Sequence, residues 1–357
     1  MRVLVAMSGG VDSSVTAALM LCAGHEVVGA TMKLWGGPSD SGCCSVADVE
    51  DARRVAQQLG IAHHVFNFTS DFDRDVVEPY VAGHAQGRTP NPCIACNAHL
   101  KFDRFLERAL LLGFDAIATG HYARVLPPAA GQGWQLRRGR DAAKDQSYVL
   151  YMLGQSALAR LRLPVGEMTK DVVRQVADDL GLRTAAKPDS QDVCFISKAG
   201  GRSGFLSGRM AVGSGRLVTK AGADIGPVEE LELLTVGQRR GLGLQARSRP
   251  ERRFVVDVDL KGRTATVGDL ADLLVERTEV VGLSWSAGVA VPAGTAVEAQ
   301  LSAHGKPLPA TWEARPDGSG VVVFDEPTRR VAPGQAVVLY DRGVAGGEVV
   351  LGGGTAV

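Results

Sequence analysis

The sequence predicts an α/β domain on a doubly wound parallel sheet, followed by a small glycine-rich segment and an all-β C-terminal part. Three observations carry this reading. Short apolar runs alternate with helix-period segments from residue 3 to residue 181, the pattern of a parallel sheet with helices on both faces. A glycine motif, Ser8-Gly9-Gly10, stands between the first apolar run and the first helical segment. Beyond residue 200 the chain turns to short strands punctuated by glycine and proline.

In order, Val3 to Met7 is a strand, residues 13–23 a helix and Val27 to Met32 a second strand. Residues 46–59 set Val49, Ala52, Val55, Ala56 and Leu59 at helical spacing. Ile61 to Phe68 is extended, residues 98–112 form an apolar-striped helix, and Ala116 to Thr119 is a strand. Residues 122–150, with Pro127-Pro128 and Arg137-Arg138-Gly139-Arg140, read as a hairpin excursion from the sheet. Residues 169–181 are a helix ended by Gly181. Boundaries fall near 200 and 270, giving segments 1–200, 201–270 and 271–357, with strands at 254–258, Ala336 to Tyr340 and Val349 to Leu351.

Composition narrows the function classes. Hydrophobic residues make up 45% and charged residues 22% of the 357, which is globular rather than disordered. The N-terminal apolar run is too short for a signal peptide and leads directly into the glycine motif. No apolar stretch is long enough for a membrane helix, so a cytoplasmic protein with no membrane partner is expected. Lys plus Arg equals Asp plus Glu at 39 each, so a nucleic-acid partner must be held by local clusters of cations. Two such clusters stand out: Arg239, Arg240, Arg247, Arg249, Arg252 and Arg253, and Arg137, Arg138, Arg140 and Lys144.

The motif Ser8-Gly9-Gly10-Val11-Asp12-Ser13-Ser14 follows a strand and opens a helix. Gly9 and Gly10 permit a tight turn and a close approach of backbone to ligand. Ser13, Ser14 and the first helical N–H groups then face phosphate at the positive helix end. Asp12 is expected to hold Mg²⁺ or to shape the loop. The motif lacks the GxxxxGK[ST] of the common ATPase loop and the spaced glycines of dinucleotide folds. It resembles the pyrophosphate loop of the N-type ATP pyrophosphatases, which implies ATP split between the α and β phosphates. Met32 and Gly120-His121 end strands that reach the same rim.

Six cysteines, at 22, 43, 44, 93, 96 and 194, argue for metal binding, thiol chemistry or burial rather than a disulfide scaffold. Cys22 lies among Val15, Leu19, Met20 and Leu21, which suggests core packing; Cys43 and Cys44 read as structural. In Arg88-Thr-Pro90-Asn91-Pro92-Cys93-Ile-Ala-Cys96-Asn97 the prolines favour an extended approach, and helix resumes just after. Cys96 then lies near a helix N-terminus, where the dipole favours thiolate. Cys194 stands on a separate loop after Lys187-Pro188. A second reading makes Cys93, Cys96 and Cys194 ligands of an iron–sulfur cluster.

Together these residues resemble the bacterial tRNA-specific 2-thiouridylase family. The matching pieces run in order: Ala6 to Ser13, Cys43-Cys44-Ser45, Gly87 to Asn97, Gly120 to Ala123, Lys144 to Ser147, Asp189 to Ile196, and Gly237 to Gly243. The resemblance implies a central connecting domain, a C-terminal β-barrel that helps to grip tRNA, and thiolation of U34 through an adenylate. It implies the nucleophile at Cys96 and the persulfide carrier at Cys194. ATP contacts are implied at Ala6, Met7, Ser8, Gly9, Gly10, Val11, Asp12, Ser13, Met32 and Gly120, and contact with the target base at Asn91, Pro92 and Cys93. Further tRNA contacts are implied at His121, Lys144, Asp145, Gln146 and Gln335. Its partners would be tRNA with U34 (the Lys, Glu and Gln isoacceptors) and an external persulfide donor.

Two positions depart from the family pattern: Cys93 stands where some members carry an acid/base Asp, and Ser302-Ala303 where members often carry Arg-Tyr. An amidating ATP pyrophosphatase would account for the glycine loop but not for Cys96 and Cys194.

Overall fold

A computed structural model describes residues 1–35, 45–128, 133–189, 193–196, 200–242, 253–343 and 347–357. Cys43, Cys44, residues 190–192 of the Cys194 motif, Gly243, and Arg247, Arg249 and Arg252 lie outside the described residues.

The first domain is the expected doubly wound sheet. Strands β1 (Arg2–Ala6), β2 (Glu26–Lys33), β3 (His63–Asn67) and β4 (Ala116–Ala118) belong to it; the hairpin β5 (Ala123–Leu126) and β6 (Gln135–Arg138) leaves it, and the short β7 (Leu161–Arg162) completes it. The order is β3-β2-β1-β4-β7, all parallel. Alternate residues of β1 feed opposite faces. Leu4 and Ala6 join one core, and Val3, Val5 and Met7 the other, each large side chain contributing about 1.5–3 kcal/mol on burial. The second face is covered by α1 (Val11–Cys22), α2 (Val46–Gln58) and the helix Lys170–Asp179. The first is covered by two helical runs, 69–85 and 92–111, each containing a π stretch. Strand order reverses between β1 and β4, so the loops after these strands flank the crevice where such sheets bind ligands.

The run 69–85 is helical although it contains Pro79, and Phe72, Val76, Val77 and Tyr80 form its buried stripe. Two local expectations are corrected. The later helix begins at Pro92 and not near residue 98, with Asn91 as its cap accepting from the Cys93 N–H at 3.0 Å. Cys96 therefore lies a full turn inside, at the start of the π stretch, and Cys93 occupies the first turn. Cys22 is exposed at the end of α1 rather than in the core.

The central sheet holds β8 (Gly215–Thr219), β9 (Asp224–Val228), β10 (Phe254–Asp259) and β11 (Thr264–Gly268) in the order β10-β11-β8-β9. The C-terminal strands β12 (Leu274–Trp285), β13 (Thr295–Gln300), β14 (Leu308–Ala314), β15 (Gly320–Arg329), β16 (Ala336–Asp341) and β17 (Val350–Ala356) close into a barrel around Trp312, Val297, Val322 and Leu339. The barrel is docked on the first domain. Ala336, Val338, Tyr340 and Val350 share one apolar cluster with Leu136, Tyr148 and Tyr151, and the Tyr148 hydroxyl donates to the Ala336 carbonyl at 2.8 Å. Among the described residues no helix is long and apolar enough to cross a membrane.

Candidate active site

The glycine loop lies in the crevice that the topology prepares. Gly9 adopts φ +74°, and a Cβ there would sit 2.2 Å from the Asp48 carbonyl oxygen, so the first turn of α2 closes on the loop and only glycine fits. Gly10 caps α1 without a side-chain hydrogen bond, leaving the first-turn N–H groups of a three-turn helix to an anion. Gly120, after β4, packs on that turn from the other side: a Cβ would lie 2.8 Å from the Asp12 carbonyl carbon and the Ser13 nitrogen. Ser13 and Ser14 are buried and both donate to the Gly10 carbonyl, at 3.0 and 2.9 Å. They shape the loop, whereas Ser8 is exposed. Met32 is buried near the end of β2.

Asp12 is built into an ionic lattice. Its carboxylate accepts from Lys170 Nζ at 2.7 and 2.9 Å and from the Tyr122 hydroxyl at 2.7 Å. Lys170 is buried and also pairs with Asp189 at 2.9 Å, which in turn meets Lys144 and Arg174, each at 2.8 Å. Burial alone would raise the Asp189 carboxyl, but the hydrogen bonds from Lys144 and Lys170 outweigh it and hold the group at about 2. Lys187 donates to the Gly9 carbonyl at 3.0 Å and pairs with Asp48 and Asp51 at 2.7 and 2.8 Å. Both Asp12 oxygens are thus engaged beside an ammonium, a setting that suits loop shaping and does not fit a magnesium ligand. The sequence reading missed Lys170, Arg174 and Lys187, which are isolated cations in sequence. The one available signal was Thr169 as a helix cap immediately before Lys170.

The lattice runs into the cysteine segments. Lys187 and Asp189 begin the stretch that carries Cys194. Cys194 is half-buried against the main core cluster, and its neighbour Phe195 packs on Phe205, Phe72, Tyr80 and Trp35 at ring distances of 5.0, 5.5, 5.7 and 6.1 Å. Cys96 is buried in the same cluster. Cys93 is exposed. Tyr80, its phenol raised by burial, shares one buried cluster with Cys96 and Phe195. Among the described residues no three His, Cys, Asp or Glu side chains group to hold a metal ion. The three-thiolate cluster does not fit this arrangement, with Cys96 interior and Cys93 facing solvent.

The expected RNA contacts divide sharply. Arg239 and Arg240 are exposed on a turn that Gln238 ties down through Thr235 and the Arg240 carbonyl. The second cationic cluster is paired with carboxylates within the chain. Arg137 faces Glu348, Arg138 pairs with Asp145 at 3.0 Å and lies 3.6 Å over the Tyr340 ring, Arg140 meets Glu167, and Lys144 meets Asp189. Asp145 also accepts from Gly139 and Ser147, and the Gln146 side chain accepts from the Tyr122 N–H at 2.9 Å. His121 is buried, hydrogen-bonded to Thr119 at 2.7 Å, and kept neutral by desolvation. In the RNA-free protein these side chains are tied to the scaffold, while Arg140 stays largely exposed. Gln335 donates to the Thr89 carbonyl.

Comparison with known proteins then assigns the chain. Family models match as "tRNA methyl transferase HUP domain" over residues 1–198, "tRNA methyl transferase PRC-barrel domain" over 203–269 and "Aminomethyltransferase beta-barrel domain" over 278–356. A tRNA-specific 2-thiouridylase of Chloroflexus aggregans is 46% identical over 99% of this chain and 97% of its own length. The chain belongs to the tRNA-specific 2-thiouridylase family. Other thiouridylases are as extensively alike, including those of Carboxydothermus hydrogenoformans, 44% identical over 99% of this chain and 97% of that one, and Thermobifida fusca, 43% over 99% and 95%. The names of these relatives state thiolation, not the methyl transfer that the domain names carry. A solved 4-thiouridine synthetase–RNA complex with bound ATP aligns at 20% identity and a TM-score of 0.37, over 54% of this chain and 44% of that one, a likeness too weak to place any residue.

Proposed function

We propose that this thiouridylase adenylates O2 of U34 in tRNA and replaces that oxygen with sulfur carried on Cys194. The observation that carries the reading is the physical continuity between the glycine loop and both cysteine segments. The stretch bearing Cys194 begins on the glycine loop through Lys187, and Phe195 packs with Tyr80 in the buried cluster that also holds Cys96. ATP lies with its triphosphate at Ser8, Gly9, Gly10 and the first turn of α1, and its adenosine toward Met32 and Gly120. Uridine O2 attacks the α-phosphorus, and pyrophosphate leaves toward the helix N-terminus, where backbone N–H groups stabilise the developing charge. Magnesium is assigned only to the nucleotide's own phosphates.

Sulfur arrives on Cys194 as a persulfide from an external donor. Its terminal sulfur adds to C2, and AMP departs with the former O2. The Cys96 thiolate then attacks Cys194 Sγ, forming a Cys96–Cys194 disulfide and leaving both electrons of the broken S–S bond on the sulfur that becomes C2=S. A dithiol reductant restores the two thiols. U34 must leave the anticodon stack to reach these groups, which costs least for a loop base. The first 200 residues act as the adenylating unit, and residues 201–270 and 271–357 as RNA-binding parts of a cytoplasmic enzyme.

The direct test is product analysis with purified protein, ATP, persulfide donor and a U34 tRNA. We expect 2-thiouridine with AMP and pyrophosphate in equal amounts; ADP and phosphate as products would sink the adenylation reading. RNA recognition is tested separately at the exposed Arg239 and Arg240. Replacing both with Ala is expected to lower the magnitude of the salt slope of tRNA binding by about 2, one phosphate contact each. An unchanged slope would assign both to structure.

A further inference from the structure

We propose that the barrel turn 332–335 is a positioning element for the cysteine helix, with Gln335 as its working side chain. The inference rests on the function proposed above. Thr89 lies two residues before Asn91, which caps that helix. Both backbone groups of Thr89 are taken by the barrel: its N–H donates to the Pro333 carbonyl at 2.7 Å, and its carbonyl accepts from Gln335 Nε2. Between these bonds, Gly334 adopts φ +90° and leaves no room for a side chain; a Cβ there would lie 3.0 Å from Arg88 Cβ and from the Thr89 nitrogen. The turn itself is fixed to the barrel, since the Gly334 N–H donates to the Ala356 carbonyl at 2.9 Å and the Ala356 N–H to the Gln335 carbonyl at 2.8 Å.

The link from this clamp to the cysteines is stiff. Pro90 and Pro92 have fixed φ, and each restricts the residue before it. Thr89 to Cys93 is therefore a short rod of at most about 14 Å, and a shift at Thr89 reaches Cys93 and Cys96 without being absorbed. The central domain addresses the same residue, for the Thr89 hydroxyl meets that of Thr235, whose N–H is held by the Gln238 side chain next to Arg239. Both domains outside the sheet thus converge on Thr89. Gln335 gives an amide N–H to this clamp and acts on the cysteines through the helix.

The test compares wild type with Gln335→Met, which keeps the volume and loses the donor, and with Gly334→Ala, which forces the two segments apart. Three quantities are read: the tRNA dissociation constant, kcat for 2-thiouridine formation at saturating tRNA, and the iodoacetamide labelling rate of Cys96 in the RNA-free protein, followed by mass spectrometry. For both variants we expect kcat to fall about tenfold, tRNA affinity to stay within about twofold, and Cys96, now buried, to label severalfold faster. Circular dichroism confirms that the variants compared are folded. Weaker tRNA binding with kcat and labelling unchanged would overturn the proposal and make Gln335 an RNA contact; no change in any quantity would overturn it as well. If the wild type forms no 2-thiouridine at all, the proposed function fails, while the labelling rates still decide whether the barrel positions the helix.

Discussion

Cys194→Ser loses at least ~10³-fold of 2-thiouridine formation, yet still binds tRNA and releases pyrophosphate in amounts stoichiometric with enzyme. Serine has nearly the same volume but cannot hold a transferable sulfur, and the glycine loop is untouched. Phe195 keeps the segment anchored in its aromatic box, so the loss is chemical and not conformational. Cys96→Ser is equally silent in product but differs in what it accumulates. The persulfide on Cys194, or its adduct with C2, persists and is visible by mass spectrometry, because the attack that resolves it is missing. Cys93→Ser slows the reaction without abolishing it, since the exposed Cys93 is assigned no sulfur-transfer step. Thiolation by Cys194→Ser near the wild-type rate would remove the persulfide step from the account.

Lys170→Met is expected to lower adenylation by ~10²-fold and to raise KM for ATP. The buried ammonium joins Asp12 at the first turn of α1 to Asp189. Without it two carboxylates face each other beside a site that must accept a triphosphate. Removing one partner from such a pair costs about 3 kcal/mol of stability, the lower end for buried pairs because Asp12 and Asp189 are partly exposed. Asp12→Asn in the Lys170→Met background is expected to restore part of the stability, by removing one of the stranded charges, and not the activity. Steady-state kinetics with chemical denaturation separates the two effects. A stability loss with unchanged ATP kinetics would confine Lys170 to a structural role.

The glycine loop, the parallel sheet and the all-β end were legible because each is a local pattern: glycines between a strand and a helix, alternating periods, spaced turns. The start of the cysteine helix was misread for a local reason too. Pro92 suggests a break, yet proline is favoured at the first helical position when a residue such as Asn91 caps it. That error moved the helix terminus from Cys93 to Cys96, so the dipole argument for Cys96 fails, and its assignment as nucleophile rests on the family and on its place in the core beside the Cys194 segment. The ion pairs of the cationic cluster at 137–144 were not legible because the carboxylates Glu348, Glu167 and Asp189 are distant in sequence. No window along the chain contains both partners. The same limit hid Lys170 and Lys187, which matter only for what the fold brings to them.

The most direct measurement follows one atom. A U34 tRNA carrying a heavy oxygen isotope at C2 is thiolated with unlabelled ATP, and the AMP, phosphate and water are analysed by mass spectrometry. Adenylation at O2 predicts that the label appears in the phosphoryl group of AMP, one label for each 2-thiouridine formed. Unlabelled AMP, with the heavy oxygen in water or in inorganic phosphate, would contradict the account.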